Sequence, residues 1–377
     1  MQRRDFGLMM LSAPLLAQTP AKFRVYVGTY TRGASKGIYQ YEMDASSGTL
    51  TPLGVAAETA NPSFLAVHPK GDFLYSVGEL DEFKGEKVGS VNAYAIERAS
   101  GKLTMLNQAG SGGSGPCHVK VSDNGKVVLC ANYGSGSASA FALGADGKIG
   151  KRTAFFQHAG PFGPNAARQS GPHAHSINLD NTNRFAVVAD LGKDRVMVYK
   201  FNAKNGAMAS HSEFAVAPGS GPRHFAFHPN GKWAYVINEM LCTLTAMNWD
   251  GKAGKLTEIN TEPTMPIPAG RGLSTAETVV HPNGRFVYGS NRGHDSIAIF
   301  SIDAASGRIR RIGNEPTQGK TPRNFNIDPT GRYLVAANQD SDSLMVFRIE
   351  GATGTLTPVG RPVPAPVPVC VKFLAMA

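Results

Sequence analysis

Along this 377-residue chain, chemically capable side chains recur in pairs 15 or 16 positions apart. The pairs are His118 with Tyr133, His175 with Asp190, Arg223 with Glu239, Glu277 with Arg292, and Arg323 with Gln339; Phe64 and Glu79 hold the same places in another copy. Imidazole beside carboxylate suits proton transfer, and guanidinium suits a carboxylate, a phosphate or a developing oxyanion. His175 is therefore a candidate general acid or base, and Arg223 and Arg292 are candidate anion holders. Glu239 either shares the acid–base work or orients Arg223. In His173-Ala-His175 the period-2 alternation of a strand puts both rings on one face. That arrangement suits a metal pair, but no third ligand is obvious nearby, so no metal is expected. The glycine-rich runs at 110–115 and 134–137 lack a following helix and read as turns, not phosphate loops. No cofactor is expected.

Something must bring such pairs together. A repeat does so: a Pro-containing entry, an apolar strand, a His-Pro-x-Gly type of turn, and a second strand ending in Asn or an acidic residue. The clearest copies run from Gly221 to Glu239 and from Ser274 to Arg292, with variants entering at Pro62, Pro116, Pro172 and Pro322. The turn positions Gly71, Gly125, Asn183, Gly231, Gly284 and Gly331 are spaced 54, 58, 48, 53 and 47 residues apart. Roughly 50 residues accommodate four antiparallel strands, one propeller blade. Six complete blades are visible, and a seventh is split. Pro368–Phe373 reads as its inner strand, and Phe23–Thr29, Ile38–Met43 and Leu50–Gly54 read as the other three. The expected fold is an all-β, seven-bladed propeller over residues 22–377, closed by joining its two ends. The first strand of a blade lines the channel and the second returns antiparallel, so the paired residues should meet at one mouth. His68, His228 and His281 belong to the turns and should cap the opposite face.

The composition agrees. Hydrophobic residues make up 42% and charged residues 18%, enough for a core and too little charge for disorder. The net charge of +10 favours anionic partners, but the cations are scattered, with no basic stripe interleaved with aromatics. Nucleic acid is therefore not an expected partner. Cys117, Cys130, Cys242 and Cys370 form no CxxC pair and read as buried thiols. Residues 1–21 open with Arg3-Arg4-Asp5-Phe6 before an apolar stretch too short to span a bilayer, which reads as a twin-arginine-like export signal. The expected location is periplasmic or secreted if that leader functions, and cytoplasmic otherwise. A membrane partner is not expected, and the protein should be a monomer or weak oligomer.

Beyond residue 22 the chain resembles the seven-bladed propeller lactonase family, which includes propeller-type 6-phosphogluconolactonases and carboxy-muconate lactonizing enzymes. The resemblance rests on Tyr26-Val-Gly-Thr-Tyr30, Gly171-Pro-His-Ala-His-Ser176, Asp190-Leu-Gly-Lys-Asp-Arg195, Gly221-Pro-Arg-His224, Asn238-Glu239, Ser274-Thr-Ala-Glu277, Ser290-Asn-Arg292, Ala337-Asn-Gln-Asp-Ser341 and Pro368-Val-Cys-Val-Lys-Phe373. It implies an active centre of His175, Arg223, Glu239 and Arg292. His173, Glu277, Asp190, Arg323, Gln339 and His118 are the expected substrate-binding residues around it. The expected activity is hydrolysis of a small anionic sugar-type lactone by water attack, since no serine nucleophile elbow is present. The alternatives are cyclisation of a muconate-type diacid and a non-enzymatic binding platform.

Overall fold

The computed structural model describes residues 21–376. It contains seven four-stranded antiparallel sheets arranged as blades. Six take consecutive strands, as in Pro222–Phe227, Trp233–Asn238, Thr243–Asp250 and Lys255–Pro263. The seventh joins Pro368–Ala375 to Lys22–Thr29, Gly37–Asp44 and Leu50–Glu58. Its seam pairs Phe23 with Ala375, Val27 with Val371 and Gly28 with Cys370. Gly28 is required there, because a Cβ would collide with the Pro62 carbonyl of the next blade. The expected leader lies outside the described residues.

The second strands read as unbroken apolar runs because each blade is covered on both faces by its neighbours. Phe185–Asp190, Trp233–Asn238 and Tyr333–Asn338 are buried throughout. Outermost strands such as Met208–Ala215 alternate toward solvent. Between blades the packing is apolar: Val187, Ala189, Val196 and Val198 pack with Phe225, Ala234 and Val236 of the next blade. Tyrosines pin neighbouring blades, with Tyr26, Tyr75 and Tyr288 donating to the carbonyls of Gly101, Gly147 and Gly354, each at 2.9 Å.

The turn histidines are also pins. In His228, Nδ1 accepts the Asn230 N–H at 3.0 Å, which leaves Nε2 to donate to the Gly284 carbonyl of the next blade at 2.8 Å. His281 repeats this with Asn283 and Gly331, and His68 with Lys70 and Gly125. His228→Ala is expected to strand both partners and lower unfolding stability by about 1–3 kcal/mol. The check is denaturant unfolding; a midpoint equal to wild type would remove the pinning role.

Candidate active site

The mouth opposite these turns is built where first strands enter and second strands end. Five of the first strands break register at their entry: between Pro116 and His118, Ala174 and Ser176, Pro222 and Phe225, Thr275 and Thr278, and Pro322 and Asn324. Such a bulge inserts a residue and breaks strict alternation, so consecutive side chains can both reach the channel. Arg223 and His224 do so. Ser63, Cys117, His175, Arg223 and Arg323 thus line one level with Tyr30 and Glu79. The space they enclose is about 10 Å³, room for roughly one water.

Glu239 is the electrostatic hub. Its carboxylate accepts from Arg168 Nη2 at 2.6 Å and Arg223 Nε at 3.0 Å, and lies 3.1 Å from Arg292 Nη2. Burial pushes its pKa up, but Arg292, Arg223 and Arg168 outweigh that and hold it at about 2. Arg223 gives Nη1 to the Ala276 carbonyl at 2.7 Å, and Nη2 has no partner among the described residues. Arg292 gives Nη2 to the Thr275 carbonyl at 2.8 Å, and its buried Nε–H is unpaired. Across the channel, the Tyr30 hydroxyl lies 3.0 Å from both Glu79 oxygens, and the Ser63 hydroxyl also bonds Glu79. Arg323 donates to the Tyr30 hydroxyl at 2.9 Å and has no carboxylate partner among the described residues.

His175 stands between these groups. Burial first, and then the Arg223 charge, push its pKa well below the usual imidazole value. The ring is therefore neutral near pH 7. Its Nδ1 lies 3.6 Å from Cys117 Sγ, and its other nitrogen has no partner among the described residues. Cys117 lines the same cavity, but burial raises its thiol pKa, so it stays protonated and a poor nucleophile. All four cysteines are free and buried, as their sequence setting implied.

The mouth thus unites His175, Arg223, Glu239, Arg292 and Arg323, as the spacing predicts. Other expected members sit elsewhere. Glu277 and His118 lie one level deeper, because each is two residues past its blade's entry pair, Thr275 with Asn291 and Pro116 with Asn132, whereas Arg223 is one residue past Pro222. Glu277 accepts from His224 Nδ1 at 2.8 Å and from Asn324, and burial raises its pKa to about 7. His118 stacks on Phe64 at 4.1 Å between ring centroids. Asp190 is a clear correction: it is fully buried, 2.5 Å from His158 Nδ1, and accepts the His173 and Lys193 N–H groups. It occupies the last paired position of its strand, opposite Ala174, where the side chain points into the blade. His173 and His175 both pack against one tyrosine. His173 stacks on Tyr133 at 4.5 Å and His175 packs edge-on to the same ring. Gln339 lies on the short turn Gln339–Ser341 and donates to Asp340 at 2.8 Å.

Sequence reasoning missed Arg168, Tyr30, Ser63 and His224. Arg168 belongs to no repeat. It rides on the connection from Ile149–Gln157 to Ala174–Leu179, which makes the 58-residue interval the longest. Neighbouring Gln169 anchors that connection, donating to the Leu191 carbonyl and to Asp194, both at 2.8 Å. The extra length was the only available signal.

Comparison with known proteins agrees with this fold. The family model described as "Lactonase, 7-bladed beta-propeller" matches residues 24–373. A 6-phosphogluconolactonase of Bacillus subtilis is 39% identical over 353 residues, covering 94% of this chain and 99% of that protein. One from Formosa agariphila is 35% identical, covering 81% of this chain and 86% of that protein. A solved structure of the Pseudomonas aeruginosa periplasmic gluconolactonase superimposes with a TM-score of 0.88 at 30% identity, covering 94% of this chain and all of that one. With its blades, its closing seam and a family match along nearly its whole length, the chain belongs to the seven-bladed β-propeller lactonase family.

Proposed function

We propose that the protein hydrolyses a small anionic sugar-type lactone, of the 6-phosphogluconolactone kind, by direct water attack at this mouth. The observation that carries the reading is the surplus of cations there. Arg168, Arg223 and Arg292 share the single carboxylate of Glu239, and Arg323 has none. Even with Glu79 counted, four guanidinium groups face two carboxylates, and that surplus is relieved by an anionic ligand and by the oxyanion of a tetrahedral intermediate.

The roles follow from the hydrogen bonds already spent. Both Glu239 oxygens are already taken by Arg168, Arg223 and Arg292, so it orients the arginines and does not take the proton. His175 is neutral and keeps a free ring nitrogen, so it takes the proton from water. Arg223, with Nη2 unspent, faces the developing oxyanion. Arg323 and Arg168 hold the substrate's anionic group. The twin-arginine-like leader supports action outside the cytoplasm, which fractionation of the full-length protein tests.

Purified protein is expected to open 6-phosphogluconolactone far faster than buffer, and with higher kcat/KM than uncharged gluconolactone. The check is proton release at constant pH. No acceleration over a lactone panel would overturn the reading. So would consumption of a muconate-type diacid, seen as lost diene absorbance, without any lactone opening.

A further inference from the structure

The channel has a second, separate cavity. A buried layer of Phe64, His118, His224 and Glu277 floors the active mouth. Beneath it a cavity of about 340 Å³ runs toward the turn face, reaching Pro329. His118 of the floor, Lys120, Lys372, Asn178 and Asn326 supply its polar lining, and no carboxylate lines it. Two residues past the channel-facing His118 and Ser176 on their strands, Lys120 and Asn178 again face inward.

This lining has donors without acceptors. Among the described residues, neither lysine ammonium has a hydrogen bond or an ion pair. Lys372 Nζ instead sits over the Phe64 ring, 4.6 Å from its centroid. The Asn178 Nδ2 is buried and unpaired. Asn326 has turned to the main chain, donating to the Val371 carbonyl at 3.1 Å and accepting the Ile327 N–H at 2.9 Å. Burial lowers the Lys120 pKa; Asp123 opposes this and Lys372 adds to it. Two like charges lining one partly open pocket, with an idle amide beside them, repel each other less when an anion is shared between them. Two ammonium groups and an N–H₂ group match the oxygens of a phosphate monoester or free phosphate.

We infer that the turn-face end of the channel is a second binding site, for a small phosphate-class dianion held by Lys120, Lys372 and Asn178. The site is distinct from the lactone mouth and does not depend on the hydrolytic reading.

The test is calorimetric titration of the full chain with inorganic phosphate. Using the Arg323→Gln background weakens any competing binding at the active mouth. Binding is expected to persist there, and Lys120→Gln is expected to weaken it about tenfold or more, as loss of a charge-assisted hydrogen bond implies. Lys372→Gln should do the same, but Lys372 lies in the closing strand. Lys120→Gln and Asn178→Ala, which leave that strand alone, therefore decide the matter if it misfolds. A hexose phosphate binding more tightly than phosphate would identify a phosphosugar as the source, and equal affinities would identify free phosphate. Phosphate affinity unchanged by Lys120→Gln and Asn178→Ala, acetate binding as tightly as phosphate, or no heat up to millimolar phosphate would each overturn the inference.

Discussion

Replacing His175 by Ala is expected to slow lactone hydrolysis by about 10²–10⁴-fold while leaving the fold intact, the range typical of a lost general base. The ring is only 5% exposed, but it lies at the channel edge, so its removal widens a polar space and leaves the apolar inter-blade packing alone. The pH dependence provides a second readout. Burial and Arg223 hold His175 well below the usual imidazole pKa. A general base works in its deprotonated form, above its pKa. As pH falls, kcat/KM should therefore stay level through 6.5 and decline only at lower pH. The measurement is enzymatic rate corrected for buffer hydrolysis across that range. An acid limb centred at 6.5 or above would exclude His175 as depicted. A Glu79→Gln variant that is inactive beside an active His175→Ala variant would move the base to the other side of the channel.

Deleting Pro368 to the C-terminus is expected to abolish folding. That strand supplies every inner contact of the closing blade, and Val369, Cys370 and Val371 are buried. Losing burial of Val369 and Val371 costs roughly 1.5–3 kcal/mol each. The broken ladder to Lys22–Thr29 costs on the order of 1 kcal/mol per hydrogen bond. Together these approach the ~5–15 kcal/mol net stability of an ordinary domain. The truncation also leaves the Lys22–Thr29 edge unpaired beside the channel, an invitation to aggregation. Circular dichroism and thermal unfolding decide this; a cooperative transition at the wild-type temperature would show that closure is dispensable.

What was legible in the sequence was whatever repeats. Spacing near 50 residues, the entry prolines and the His-Pro-x-Gly turns set the blade count and told the two faces apart. The orphan strands at Phe23–Thr29 and Pro368–Phe373 require one another on their patterns alone, because a first strand without a second is an open edge. The spacing also placed Arg223 beside Glu239, because Arg223 follows the paired Pro222 and Glu239 follows its partner Asn238. The same rule misplaced Glu277, His118 and Asp190. A count along the chain is uncertain by one residue at the strand entries, where the bulges leave residues unpaired: Asp190 belongs to the entry pair itself, and Glu277 and His118 are two residues past theirs. Arg168 was beyond reach for a different reason: it arrives on an irregular connection, and only its packing brings it to 2.6 Å from Glu239. The sequence by itself thus determined the ring, its closure and its chemically equipped mouth, because periodicity encodes pairing. The tertiary structure decided which carboxylate is pinned, which histidine is left with a free nitrogen, and that Lys120 and Lys372 face an unneutralised cavity below. Those outcomes depend on angstrom-scale contacts between different blades, which no spacing along one chain can express.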